Sequence, residues 1–134
     1  MKDGNASYDV PEQLTADMTL RKVFWMCDQV NDEDYIMQER LWKHMVDICA
    51  QDVDSTIDFL DHECTANEIS WLSGVFDELV ERTQSAKLVA ALLRTIAKYP
   101  EEDALYHNQA MLDDAVKDYG DYSLRTNYRR MKEQ

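Results

Sequence analysis

The sequence predicts an all-α fold, a compact bundle of about five to six antiparallel amphipathic helices. Apolar residues recur at spacings of three and four along most of the chain, which is the period of one helical face. No segment sustains period-two alternation between hairpin turns, so no substantial sheet is expected. Only three glycines and two prolines punctuate 134 residues, and all but Gly74 sit near the ends of periodic segments. The connections are short, as sequential antiparallel helices require.

Residues 1–14 are polar and aperiodic and read as a flexible N-terminal segment. The bundle domain is expected over residues 15–120. Thr15 can cap a first helix with Leu20, Val23, Phe24, Cys27 and Val30 on one face. Asn31 or Asp32 caps a second, with Met37, Leu41, Met45, Ile48 and Cys49 inward. Asp32, Glu33 and Asp34 would crowd its first turn, at the positive end of the helix dipole. A short third helix over 55–61 buries Ile57 and Leu60. Thr65-Ala66-Asn67-Glu68 has the form of a capping box. It opens a fourth helix whose apolar face is Ile69, Leu72, Val75, Phe76, Leu79 and Val80. Ser85 caps a fifth, with Leu88, Val89, Leu92, Leu93 and Ile96 inward, ending before Pro100. A sixth runs from about Glu101 to Tyr119, with Leu105, Met111, Leu112, Ala115 and Val116 inward and Gly120 as its stop. Trp25 and Trp42 are expected in helix–helix packing.

Residues 121–134 reverse the charge, with Arg125, Arg129, Arg130 and Lys132 against Asp121 and Glu133. Tyr122, Leu124, Tyr128 and Met131 would form a terminal amphipathic turn, so this basic tail is expected to dock on the bundle. Arg129 and Arg130 would then meet its acidic face. Four bases beside a strongly negative body make a weak phosphate site, which disfavours nucleic-acid binding.

The formal net charge is −13, and its distribution is uneven. Residues 44–81 contain ten acids and no Lys or Arg. Such a surface repels nucleic acid and anionic membrane and attracts a cationic partner, unless it serves only solubility. Hydrophobic residues make up 45% of the chain, too many for a disordered acidic tail. Cys27, Cys49 and Cys64 are an odd number without paired spacing. With no apolar stretch of about eighteen residues and no apolar h-region at the N-terminus, a reduced cytoplasmic protein is expected.

Enzymatic motifs are absent: no Gly-rich phosphate loop, no nucleophile elbow and no helical metal-site pattern around His44, His62 or His107. No cofactor or metal is therefore expected. His62-Glu63-Cys64 reads as a helix end with solvated His and Glu and a buried Cys. Asp52, Asp54, Asp58 and Glu63 fall at calcium-loop positions, but Ile57 replaces the turn glycine and Leu60 cannot coordinate, so that loop is rejected.

Trp71, Gly74, Glu78 and Glu81 fall at spacings of three and four along the expected fourth helix. An amphipathic ring, a small residue and two carboxylates suit a docking surface for a basic protein, unless Trp71 simply packs under a neighbouring helix.

The segment Glu63-Cys64-Thr65-Ala66-Asn67-Glu68-Ile69-Ser70-Trp71-Leu72, continued by Val75-Phe76-Asp77-Glu78-Leu79, resembles bacterial immunity proteins. The likeness extends through Thr83-Gln84-Ser85 and Tyr99-Pro100-Glu101-Glu102, about a third of the chain. It implies an inhibitor of a contact-dependent or other polymorphic toxin, blocking its active site or substrate channel. Nuclease toxins present basic clefts because their substrates are polyanions, and an acidic partner fits such a cleft. The candidate partner-binding residues are Asp54, Asp58, Asp61, Trp71, Glu78 and Glu81. Three alternatives stay open: a phage-type polyanion mimic inhibiting a host nucleic-acid enzyme, a non-inhibitory helical adaptor, and an enzyme assembled from distant carboxylates.

Overall fold

The computed structural model describes residues 19–31 and 33–134, so the 1–14 segment, Thr15 and Asp32 lie outside the described residues. The chain divides into two compact units, Met1–Gln51 and Asp52–Gln134, a boundary that falls inside the expected 15–120 bundle. Among the described residues the fold is entirely helical, with nine helices and no strand.

The first unit holds α1 (Leu20–Gln29) packed on α2 (Tyr35–Gln51). Thr19 caps α1 by accepting from the Lys22 amide at 3.2 Å. Asp34 does the same for α2, accepting from the Met37 amide at 3.0 Å, so Glu33 and Asp34 precede that helix rather than occupy its first turn. The expected apolar faces are buried, except that Val30 and Ile48 are half-buried, and Met26 and Val46 join them. Trp25 and Trp42 depart from expectation. Both are exposed, Trp25 by 54%, with the Lys22 ammonium over its ring at 4.7 Å.

The second unit holds α3 (Val53–His62), α4 (Ala66–Ser73), α5 (Phe76–Thr83), α6 (Ala86–Lys98), α7 (Pro100–Tyr106), α8 (Asn108–Tyr119) and α9 (Tyr122–Lys132). Helix α3 lies along α6, burying Leu60 and Thr56 with Ile57 half-buried. The capping box before α4 is complete: the Glu68 amide donates to Thr65 Oγ1 at 3.3 Å and the Thr65 amide to Glu68 Oε1 at 2.9 Å.

The helix count exceeds the expected five to six because two long helices are broken and the tail is a helix of its own. The expected fourth helix ends at Ser73. The Gly74 and Val75 amides bond three residues back, to Trp71 and Leu72 carbonyls, and Val75 leaves helical geometry at φ −122°. The break redirects the chain, so that α4 packs on α6, α7 and α8 while α5 commits to α8. All six expected apolar residues, from Ile69 to Val80, are nonetheless fully buried.

The expected sixth helix breaks at His107, which is left-handed at φ 58° and donates its amide to the Asp103 carbonyl at 2.7 Å. Asp103 Oδ1 also accepts from the Gln109 amide at 2.8 Å, capping α8 from the preceding helix. The turn swings two expected core residues outward: Leu105 is 71% exposed and Met111 is exposed as well, whereas Leu112, Ala115 and Val116 are buried.

Helix α9 is capped by Asp121 and buries Leu124 and Tyr128 in packing on α6 and α8. Tyr122 is exposed, contrary to expectation, and Met131 is half-buried. Lys132 makes the ion pair to the body, with Asp113 at 2.8 Å, in place of Arg129 and Arg130. Gln84, left-handed at φ 45°, ties the end of α5 to the α8–α9 turn. Its Nε2 donates to the Tyr119 carbonyl and its Oε1 accepts from the Asp121 amide, both at 2.8 Å.

The two described glycines make opposite demands. A Cβ at Gly120 would sit 2.6 Å from the Val116 carbonyl oxygen, whereas one at Gly74 would meet only the Trp71 carbonyl at 3.5 Å. Gly120→Ala is expected to lower unfolding free energy by about 1–3 kcal/mol in urea titration. Gly74→Ala is expected to change it by less than about 0.5 kcal/mol. At the α7–α8 turn, His107→Val should be less stable than His107→Gly by about 1–2 kcal/mol, because a branched Cβ is strained in left-handed backbone.

Candidate functional site

The acidic run of residues 44–81 splits into two halves with different electrostatics. On α3, two of the three candidate carboxylates are matched by bases of α6. Asp54 meets Lys87 at 2.6 Å, and Asp61 holds Arg94 through two hydrogen bonds of 3.0 and 3.2 Å. The Arg94 hydrogen bond, aided by the charges of Arg94, Lys98 and His62, holds the Asp61 carboxyl below the usual range despite its partial burial. Asp58 lies 3.7 Å from His62 Nε2 on its own helix. Lys98 adds a cation at the negative end of α3, donating to the Leu60 and Asp61 carbonyls at 3.3 and 2.7 Å.

On α5 the balance is different. Asp77, Glu78 and Glu81 are exposed, and α5 lies along α8. Partial burial first, then the carboxylates of Asp118 and Asp114 on α8, push the Asp77 carboxyl up. Here Asp77 gathers like charges from the neighbouring helix instead of bases. The break at Gly74 also places Trp71 on α4 and Glu78 and Glu81 on α5, so these residues do not form one continuous helical stripe.

Trp71 instead belongs to a cleft between α4 and α7, half-buried beside Asn67, Ser70, Glu102 and Tyr106. The cleft has a volume of about 260 Å³. A polar relay stands behind it. The Ser70 hydroxyl donates to Glu102 Oε2 at 2.7 Å, and Asn108 Nδ2 donates to Ser70 Oγ at 3.1 Å. A carboxylate only accepts, so the single Ser70 proton must go to Glu102, and Asn108 must turn its nitrogen toward Ser70. That orientation leaves Asn108 Oδ1 buried without a partner, in a side chain only 1% exposed. Such an orphaned acceptor costs about 1–3 kcal/mol, so the relay is held at the expense of stability.

Sequence reasoning missed Glu102, Tyr106 and Asn108 as site residues. Pro100 followed by three acids marks a helix start, and that signal is legible. The turn at His107, which exposes Tyr106 and buries Asn108, has no clear sequence signature.

His62 and Glu63 are exposed and Cys64 is buried. Residues 53–62 form α3 where a calcium loop would have to lie. The three cysteines are free and buried, and burial, then the Asp28 charge, pushes the Cys27 thiol up to about 12, which suits a core thiol rather than a nucleophile. No group of three His, Cys, Asp or Glu side chains that could hold a metal occurs among the described residues. None of the described helices is long and apolar enough to cross a membrane.

The two Asp shifts have opposite signs in pH-dependent stability. Asp77 has a raised folded pKa, so its ionisation destabilises the fold increasingly as pH climbs from its unfolded value near ~3.9 through the folded pKa. Asp77→Asn should therefore raise the melting temperature at pH 7, and the gain should vanish below about pH 3.9. Asp61 has a lowered folded pKa, so its contribution is present above about pH 3.9 and is lost as pH falls through the folded pKa. Asp61→Asn should lower the melting temperature at pH 7, with a smaller deficit in acid.

Comparison of the chain with family models, with curated proteins and with solved structures found no match.

Proposed function

We propose that this chain is a protein inhibitor that binds a basic partner, and that it acts as a cytoplasmic immunity protein against a nuclease-type bacterial toxin. The observation that carries this reading is the unequal use of the acidic run. Acids on α3 are engaged with Lys87 and Arg94 of α6. On α5, partial burial first and then the like charges of Asp118 and Asp114 raise the Asp77 pKa, while Glu78 and Glu81 stand exposed on the same helix. A fold gains nothing internally from carboxylates gathered in this way, whereas a cationic partner gains steered association from their field. The absence of an enzymatic motif and the resemblance of residues 63–79 to immunity proteins point the same way. In this reading the protein is a binding module rather than an enzyme. It covers a basic cleft in which the toxin would otherwise hold its polyanionic substrate.

The contact surface of this proposal differs in emphasis from the six candidate residues. Glu78, Glu81 and Trp71 remain, joined by Asp77, Asp114 and Asp118. Asp54 and Asp61 serve the α3–α6 contact first.

The test begins with affinity capture from the native host at low and raised salt, followed by kinetics on the recovered partner. The expected partner is a basic protein encoded by the adjoining gene, with nuclease activity that the complex suppresses. Replacing Asp77, Glu78 and Glu81 by their amides should slow association about tenfold or more at low salt and flatten its salt dependence. The same change at Asp54, Asp58 and Asp61 should mainly lower stability. Equal association rates for the wild-type chain and the α5 variant would refute the proposed surface. Recovery of a host nucleic-acid enzyme instead of an adjoining gene product would replace the immunity reading with polyanion mimicry.

A further inference from the structure

We propose that the cleft between α4 and α7 is a receptor for one arginine side chain of the partner protein, with Trp71 and Tyr106 as its aromatic walls and Glu102 as its counter-charge. This rests on the reading of a basic protein partner and adds the chemical group that partner must present.

The size of the cleft narrows its occupant. At about 260 Å³ it falls below the ~300–1,000 Å³ usual for small-molecule pockets and accepts a single side-chain head group. Its chemistry narrows the choice further. Trp71 and Tyr106 line the space, and Tyr106 is 57% exposed at the end of α7. Large aromatic faces beside a carboxylate favour a cation, through the ring quadrupole and direct charge pairing. Glu101, Glu102 and Asp103 together place three acids in the first turn of α7, all of one sign with the required counter-charge.

The polar relay favours arginine over lysine. Ser70 fixes one oxygen of Glu102 by a 2.7 Å hydrogen bond, and the buried Asn108 fixes Ser70 in turn. A carboxylate held at Oε2 presents Oε1 in a defined direction, which suits the planar fork of a guanidinium that also stacks on an aromatic face. An ammonium gains less from a fixed direction because its donors rotate. Asn108 is thus a positioning residue, acting on the ligand only through Ser70 and Glu102. Its unpartnered Oδ1 is what that orientation costs the fold.

The experiment uses the full chain labelled with ¹⁵N and follows the Trp71 indole and the Tyr106 amide. The probe is a capped Gly-Arg-Gly peptide, titrated alongside its Gly-citrulline-Gly and Gly-Lys-Gly counterparts up to about 20 mM, a range suited to a millimolar single-residue contact. The expected result is saturable shifts at both residues with the arginine peptide, weaker by about tenfold with citrulline, which keeps the shape and loses the charge. Glu102→Gln should abolish the preference for arginine over citrulline. Asn108→Ala, compared at equal folded fraction, should narrow the preference for arginine over lysine. Equal response to arginine and citrulline overturns the proposal, as does no shift at Trp71 across the range. Shifts confined to α5 and α8 overturn the cleft while leaving the acidic-surface reading standing. Arginine-selective binding at Trp71 in a chain that captures no basic protein would uphold the cleft and remove the proposed function instead.

Discussion

Helix α6 is the element on which the second unit depends. Leu88, Val89, Ala91, Leu92, Thr95 and Ile96 are all buried, so its contact surface extends well beyond one narrow stripe. It packs on α3, α4, α7, α8 and α9. Burying that much of a helix leaves polar groups on several sides, and each must find a partner. Thr95 illustrates the solution: its hydroxyl lies 2.8 Å from the Ala91 carbonyl and 3.2 Å from that of Leu60 on α3. One turn later Lys98 reaches the last carbonyls of α3, and the Tyr99 hydroxyl donates to the Cys64 carbonyl at 2.6 Å. Packing and the satisfaction of α3's free carbonyl end are therefore a single device.

That device also decides which acids acquire bases. Placing α3 along α6 brings Lys87 and Arg94 opposite Asp54 and Asp61, and these exposed pairs contribute at most about 1 kcal/mol each. Their larger effect is on the field, because they offset two of the ten acids in the run. Packing α5 on α8 does the reverse, adding Asp114 and Asp118 to Asp77. Unequal electrostatics across the surface arise from which helix each acidic segment packs against.

The Trp71 cleft depends on a different constraint, the turn at His107. A helix continuing through residue 107 would carry Leu105 and Met111 along the expected inward face. The left-handed residue ends α7 early, exposes Tyr106 and buries Asn108. Asp103 stabilises the turn by accepting the Gln109 amide, so an acid expected only to favour a helix start also caps the next helix. The exposure of Tyr106 and the burial of Asn108 thus come from one local change of direction.

The sequence by itself determined the helical class, most of the apolar faces and the helix starts after Thr65 and Ser85. Each of these is written within a few residues of chain: a capping box at Thr65–Glu68, a cap at Ser85, and apolar spacing from Ile69 to Val80. The acidic character of residues 44–81 was equally legible, because charge is a property of composition. Tertiary structure alone decided where the helices break, which acids acquire bases and what surrounds Trp71. Neither the bend at Val75 nor the one at His107 has a proline to announce it. The separation of Asp61 from Asp77 in electrostatic character is likewise a tertiary effect. A carboxylate's state is set by its burial and its near neighbours, and both are decided only by the fold: the Arg94 hydrogen bond for Asp61, and partial burial followed by the Asp118 and Asp114 charges for Asp77.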